Sequence, residues 1–270
     1  MGRSESNDVD YAWRQSLHLL IAAGICGIVA AARVQAAPAG PTEAIDAMRG
    51  DAALNDVCFV DARTGWAVGD RGAIWHTADS GRNWSLQESN VACSLASVFF
   101  LDAERGWIAG GFTHPFTLAS EGVLLETRDG GRNWTRREGL TLPALRRIKF
   151  FNAREGIAIG EASALFPAGV FRTGDGGASW EPIPSRLGLA WQTGDFIDPT
   201  TGALASRNGR TATLRRRTID GADAPSLGLR SIRDLQLVEP VHGFAVGDGG
   251  LVMSSRDLGR TWQTSAFELP

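Results

Sequence analysis

Apolar and polar positions alternate in short runs from residue 54 onward, and the runs repeat. Leu54, Val57 and Phe59 are matched by Leu95, Val98 and Phe100, by Leu145, Ile148 and Phe150, and by Ile232, Leu235 and Leu237. A period of two puts these side chains on one buried face, which predicts strands. Each run leads into an acid-x-x-x-Gly hairpin: Asp61/Gly65, Asp102/Gly106, Asn152/Gly156, Asp198/Gly202 and Glu239/Gly243, with the glycines 41, 50, 46 and 41 residues apart. A second strand follows each hairpin, Gly-Trp-Ala-Val-Gly at 65–69, Gly-Trp-Ile-Ala-Gly at 106–110, Gly-Ile-Ala-Ile-Gly at 156–160 and Gly-Phe-Ala-Val-Gly at 243–247. A third strand, at 73–76 in the first unit, leads to a turn, and a fourth leaves the turn at Trp84.

That turn has its own signature. Asp, Gly and Trp keep fixed offsets in Asp79, Gly81 and Trp84, in Asp129, Gly131 and Trp134, in Asp175, Gly177 and Trp180, and in Asp257, Gly259 and Trp262. The carboxylate is expected to accept backbone N–H groups two or three residues on. The glycine supplies a positive φ, and the tryptophan buries a ring beside the corner. The tryptophans stand 50, 46 and 82 residues apart, and 82 is two repeats of 41, so a unit near Asp198 to Arg217 has lost its turn. Five units of four antiparallel strands predict an all-β chain, a β-propeller over 54–270.

The Asp-box turn combined with Phe-x-Asp-x-x-x-Gly-Trp-Ala-Val-Gly resembles the photosystem II stability and assembly factor family of BNR-repeat propellers. The resemblance covers about Leu54 to Pro270. Members of that family usually carry seven blades, so the five readable here imply a five-bladed ring, an incomplete ring or a truncated product. The resemblance also implies a scaffold that holds a membrane-protein precursor through an arginine-rich patch.

Upstream, the apolar run Leu17 to Ala32 ends at the small-x-small pattern Val34-Gln-Ala36, which reads as a secretory signal peptide over 1–36 or, if uncleaved, an anchor. Residues 37–53, rich in Pro and Ala, read as a linker. Export to a periplasmic, thylakoid-lumenal or extracellular compartment follows, and there Cys58 and Cys93 are expected to pair as a disulfide or to remain as two thiols. The formal charge is −3. Removing residues 1–36 takes away Arg3, Arg14 and Arg33 with Glu5, Asp8 and Asp10, so the balance is unchanged and no basic nucleic-acid footprint remains. Lys149 is the only lysine, which excludes a Walker-type phosphate loop.

Catalysis fits poorly. Sialidases that share the Asp-box use a tyrosine nucleophile, and the only tyrosine is Tyr11, ahead of the apolar run. No zincin motif, Cys-x-x-Cys or nucleophile elbow occurs. The Asp-box acids lack the alternation of a calcium loop, and His76 and His242 have no second ligand nearby in sequence. No cofactor, metal or small-molecule substrate is expected. The alternative class is a cell-surface BNR protein that binds or cleaves carbohydrate.

In a four-stranded blade, the turns after strands one and three share one end, and the turn after strand two shares the other with the start of strand one. Functional loops sit on such rigid ends. The turn after strand two is minimal at Asp70–Gly72, Arg207–Gly209 and Asp248–Gly250 but is lengthened at Gly111 to Glu121 and at Glu161 to Ala168. The candidate partner-binding residues are therefore the inserted His114, Phe116 and Phe166 with Arg146, Arg147, Arg207, Arg210, Arg230 and Arg233, opposite the four Asp-boxes. Arg215 to Arg217 are expected on an outer strand.

Overall fold

The computed structural model describes residues 48–117, 119–222, 224–228, 230–238 and 240–264. The expected signal segment and Glu239 lie outside them. Five four-stranded antiparallel sheets follow in sequence and are arranged as the blades of a β-propeller. Blade one contains β1 (Leu54–Phe59), β2 (Gly65–Gly69), β3 (Ile74–Thr77) and β4 (Ser85–Gln87). Blade two contains β5 (Ser94–Phe100), β6 (Gly106–Thr113), β7 (Ser120–Thr127) and β8 (Thr135–Arg136). Blade three contains β9 (Leu145–Phe150), β10 (Gly156–Gly160), β11 (Val170–Thr173) and β12 (Glu181–Pro182). Blade four contains β13 (Thr193–Asp198), β14 (Thr201–Ala205), β15 (Thr211–Arg215) and β16 (Thr218–Gly221), and blade five β17 (Ile232–Val238), β18 (His242–Gly247), β19 (Leu251–Ser255) and β20 (Gln263–Thr264). The chain forms two compact units: the part up to Ile108 with Leu125–Thr135, and Ala109–Leu124 with Arg136 onward.

The hairpin between the first two strands is an Asx turn. Asp61 Oδ1 accepts the N–H groups of Arg63 and Thr64, both at 2.7 Å, and Asn152 does the same for Arg154 and Glu155. Its glycine is required by close approach. A Cβ at Gly65 would lie 2.7 Å from the Phe59 ring, and one at Gly106 2.6 Å from Phe100. The Asp-box tryptophan then meets the same phenylalanine edge-on, Trp84 on Phe59 at 6.1 Å, Trp134 on Phe100 at 5.8 Å and Trp180 on Phe150 at 6.1 Å. Phe-on-Gly and Trp-on-Phe seal that end of blades one, two and three, and in blade five Leu237 and Trp262 cover Gly243. Leu54, the first member of the apolar pattern, is exposed instead, whereas its counterparts Leu145 and Ile232 are buried.

The box itself is wired differently from the expectation. Asp129 Oδ1 accepts the N–H of Asn133, four residues on, at 2.9 Å, and Oδ2 accepts the Asn133 side chain at 2.7 Å. The nearer N–H groups are handled by a hydroxyl two residues before the acid. Thr127 Oγ1 accepts from Gly131 N at 2.9 Å while donating to Asp129 at 2.8 Å. Thr77, Thr173 and Ser255 repeat this arrangement. All four hydroxyl residues are buried. The glycines take positive φ as expected, 80° to 90°.

Box glycines also seat one blade on the blade before it. A Cβ at Gly131 would meet Gln87 at 2.3 Å, one at Gly177 would meet Leu124 at 3.0 Å, and one at Gly259 would meet Ala203 at 2.4 Å. Trp134 departs from its counterparts. Trp84, Trp180 and Trp262 donate Nε1–H to their own box glycine carbonyl, whereas Trp134 donates to Gln87 Oε1 at 3.2 Å. Blade four has no box. Arg216 and Arg217 turn β15 into β16, and Trp191 and Ile183 join Phe196 and Ile219 in its core with Ile157 and Ile159.

Cys58 and Cys93 are present as thiols, so the bridge weighed from the sequence is not made. Asn55 of β1 bonds the Leu95 carbonyl of β5. Cys58 lies three residues beyond Asn55 and Cys93 two before Leu95, which separates them by roughly 15 Å at strand rise. A disulfide tolerates about 4.4–6.8 Å between Cα atoms.

Two outcomes follow for the box. Thr127→Val leaves the Gly131 N–H and one acceptor site of Asp129 unmatched, and should lower unfolding free energy by about 1–3 kcal/mol in a urea titration, while Thr127→Ser should restore most of it. Acid should act on the same contacts. Asp79 is held down at about 2, first by the Asn83 backbone N–H, and Asp175 at about 2, first by the Ser179 hydroxyl. A lowered folded-state value stabilises above the ordinary carboxylate range and is lost as protons return. Thermal midpoints should therefore fall steeply between about pH 4 and pH 2, and Asp175→Asn should flatten that slope.

Candidate partner-binding face

Opposite the boxes, the turn after strand two packs against the start of strand one. Asp70 N donates to Ala53 O, Glu161 N to Ala144 O and Asp248 N to Ser231 O, at 2.9, 2.9 and 3.0 Å. An acid thus follows the last glycine of strand two in three blades, and in each it bonds a side chain fifteen residues earlier. The pairs are Asn55–Asp70, Arg146–Glu161 and Arg233–Asp248. Arg233 engages Asp248 with both Nε and Nη2, at 2.6 and 3.3 Å, which raises the Arg233 pKa and lowers that of Asp248.

The insertion of blade two lengthens the strands on either side of it. β6 and β7 each run eight residues, and the His114 N–H closes the arm on the Ala119 carbonyl at 2.7 Å. Phe116 at its tip is 90% exposed, and Phe112 is half exposed. His114 lies 6.0 Å from the Phe116 ring. In blade three, Ser163 and Phe166 exchange backbone hydrogen bonds at 3.1 Å, forming a turn that presents Leu165, 79% exposed. Phe166 is turned inward instead, edge-on to buried Phe171 at 5.1 Å. The offered apolar tip of that loop is therefore Leu165.

Glu161 fastens the two lengthened segments together. Its Oε2 accepts from Thr113 at 2.9 Å and Ser120 at 2.7 Å, at the base of the arm, and its Oε1 accepts from Arg146 at 3.1 Å. Burial works to raise its pKa, but the Ser120 and Thr113 hydroxyls and the Arg146 charge outweigh it and hold the carboxyl below its usual range.

The six arginines divide into two groups. Arg146 and Arg233 belong to the fifteen-residue clamp. Arg147 pairs with Asp234, which also accepts from Thr193 at 3.2 Å, so it joins the first strands of blades three and five. Lys149, two residues on, forms a largely buried pair with Asp195 at 2.7 Å. Arg207, Arg210 and Arg230 are exposed and make no ion pair among the described residues. They gather where the tight turn of blade four meets the start of β17, since a Cβ at Gly209 would lie 3.1 Å from the Arg230 carbonyl. The sequence reasoning missed the role of Glu161 and took Phe166 rather than Leu165 as the candidate of that loop. The acid after Gly69, Gly160 and Gly247 was a readable signal for the first.

At the end opposite the boxes, Phe116 and Leu165 are exposed apolar tips, and Arg207, Arg210 and Arg230 are exposed cations with no ion pair among the described residues. Residues 39–112 match the family model of the photosynthesis system II assembly factor YCF48. Among solved structures the chain is similar to YCF48 bound to D1 peptide, at 19% identity, with 80% of this chain and 82% of that one covered and a TM-score of 0.51. YCF48 from Cyanidioschyzon merolae gives 19% identity, 80% and 85% coverage and a TM-score of 0.51. The GH74 enzyme of Niastella koreensis is similar at 13% identity over 78% of this chain and 38% of that one, with a TM-score of 0.60. These likenesses are of fold. No curated protein sequence matches the chain significantly.

Glu161→Ala should free the arm. The expected result is a stability loss of about 1–2 kcal/mol and faster amide hydrogen exchange confined to the arm and the blade-three loop. An unchanged exchange pattern would show that Glu161 does not fasten the arm.

Proposed function

We propose that this chain is an exported, non-catalytic propeller that holds a polypeptide partner, a membrane-protein precursor or complex, on the face built from the blade-two arm, Leu165 and the arginines of blades four and five. The observation that carries the reading is the exposure of Phe116 and Leu165 on segments fixed by Glu161. A large apolar side chain held rigidly in water costs little ordering entropy when a partner covers it. Arg207, Arg210 and Arg230 add cations suited to acidic side chains or a terminal carboxylate. The match to an assembly-factor family and the D1 peptide carried by its structural relative support the same reading. Residues 1–36 serve as the export signal.

Crosslinking through a photoreactive residue placed at Thr117, exposed beside Phe116, should capture a membrane protein from the native host. The combined variant Phe116→Ala, Leu165→Ala should reduce capture about tenfold or more, as expected for loss of two buried anchors. Arg207→Glu, Arg210→Glu, Arg230→Glu should reduce it further at low salt than at high salt. Capture that is indifferent to both variants, or turnover of glucans or sialosides by the purified chain, would overturn the proposal in favour of a carbohydrate-active protein.

A further inference from the structure

The Arg215 to Arg217 run does not lie on an outer strand. Arg215 ends β15, the third strand of blade four, and Arg216 and Arg217 form the two-residue turn into β16, because Arg215 pairs with Thr218. This turn stands at the strand ends where the other four blades carry an Asp-box. A cavity of about 490 Å³ opens beside it, between blade four and the box of blade five. Its walls bring together Arg215, Arg216, Arg256 and Arg260 with the hydroxyl-bearing Thr201 and Thr213.

All four guanidinium groups belong to exposed residues, and none forms an ion pair among the described residues. The one acid in the wall, Asp257, is committed to its own box. It accepts from Ser255 at 2.8 Å, from Thr261 N at 2.9 Å and from the Thr261 hydroxyl at 2.7 Å. Arg216 occupies its turn position at φ 57°, a conformation that favours Gly or Asn. Folding alone gives no reason for arginine there. Four guanidinium groups against the single Asp257 carboxylate leave the cavity with a net positive charge, which favours an anion.

We propose that this cavity is a binding site for a tetrahedral oxyanion carrying two or more negative charges, a phosphate or sulfate group on a small molecule or on a lipid headgroup. Guanidinium forks match such an oxyanion with paired hydrogen bonds. The volume suits a small ligand. The site lies at the strand ends opposite the partner face and does not depend on that assignment.

Inorganic pyrophosphate, inorganic sulfate, and phosphatidylcholine vesicles doped with phosphatidic acid are the probes, read by calorimetry for the soluble anions and by co-flotation for the vesicles. At least one is expected to bind and to be displaced by salt. Arg215→Ala, Arg256→Ala, Arg260→Ala should weaken that binding about tenfold or more. The last two changes copy residues that other boxes already hold at those positions, Ala78 and Ala178. Arg216→Gly should weaken binding while raising the thermal midpoint, since glycine accepts the turn conformation. Arg63→Ala, Arg82→Ala, Arg132→Ala, which removes exposed cations from blades one and two, should leave binding unchanged. Binding to the vesicles alone assigns the site to a membrane-borne phosphate, and binding to the soluble anions assigns it to a free one. Failure of all three probes to bind, or equal loss in the two alanine triples, would overturn the site.

Discussion

A buried hydroxyl organises each Asp-box blade. Thr77, Thr127, Thr173 and Ser255 each take the N–H of the box glycine and give their proton to the box aspartate. That exchange fixes the glycine in its positive-φ conformation and orients the carboxylate toward the donors four residues on. With the corner set, the tryptophan of blades one to three falls edge-on against a phenylalanine that already covers the hairpin glycine, a place that Leu237 takes in blade five. In blades two, three and five the box glycine also sits so close to the preceding blade that a methyl group would displace its neighbour, Gln87, Leu124 or Ala203. The blade-to-blade joint thus depends on one hydroxyl with two hydrogen bonds, in a setting dry enough for their loss to be costly.

Blade four shows what happens without that device. It keeps the phenylalanine over glycine, Phe196 above Gly202, but has neither box tryptophan nor box hydroxyl. Its packing comes from a long connector that brings Ile183 and Trp191 into the core shared with blade three. At the other end, a two-residue turn stands in place of an eight-residue corner and leaves a cavity lined by arginines. The unit that departs from the repeat is structurally sound and chemically distinct.

Arginine serves two purposes on the face opposite the boxes. Where a carboxylate sits fifteen residues later, at Glu161 or Asp248, the guanidinium closes the base of the blade and its charge is neutralised. Where the turn offers asparagine and glycine in place of an acid, as at Arg207 to Arg210, the charge stays available. Local neutralisation of this kind lets a chain of net charge −3 keep discrete positive regions.

The sequence by itself determined the strand pattern, the five hairpins, the four boxes and the missing fifth, because each rests on residue types at fixed short spacings whose chemistry is local. It placed the lengthened loops and the boxes at opposite strand ends, since antiparallel order dictates that arrangement. Tertiary structure decided the rest. Phe166 and Leu165 are neighbours of similar apolarity, and only packing against Phe171 shows which one faces water. Arg147 and Asp234 are 87 residues apart, and Cys58 and Cys93 only 35, yet the first pair meets and the second does not. Contacts between blades depend on how sheets stack and on where strands lie in register, and a one-dimensional pattern carries neither quantity.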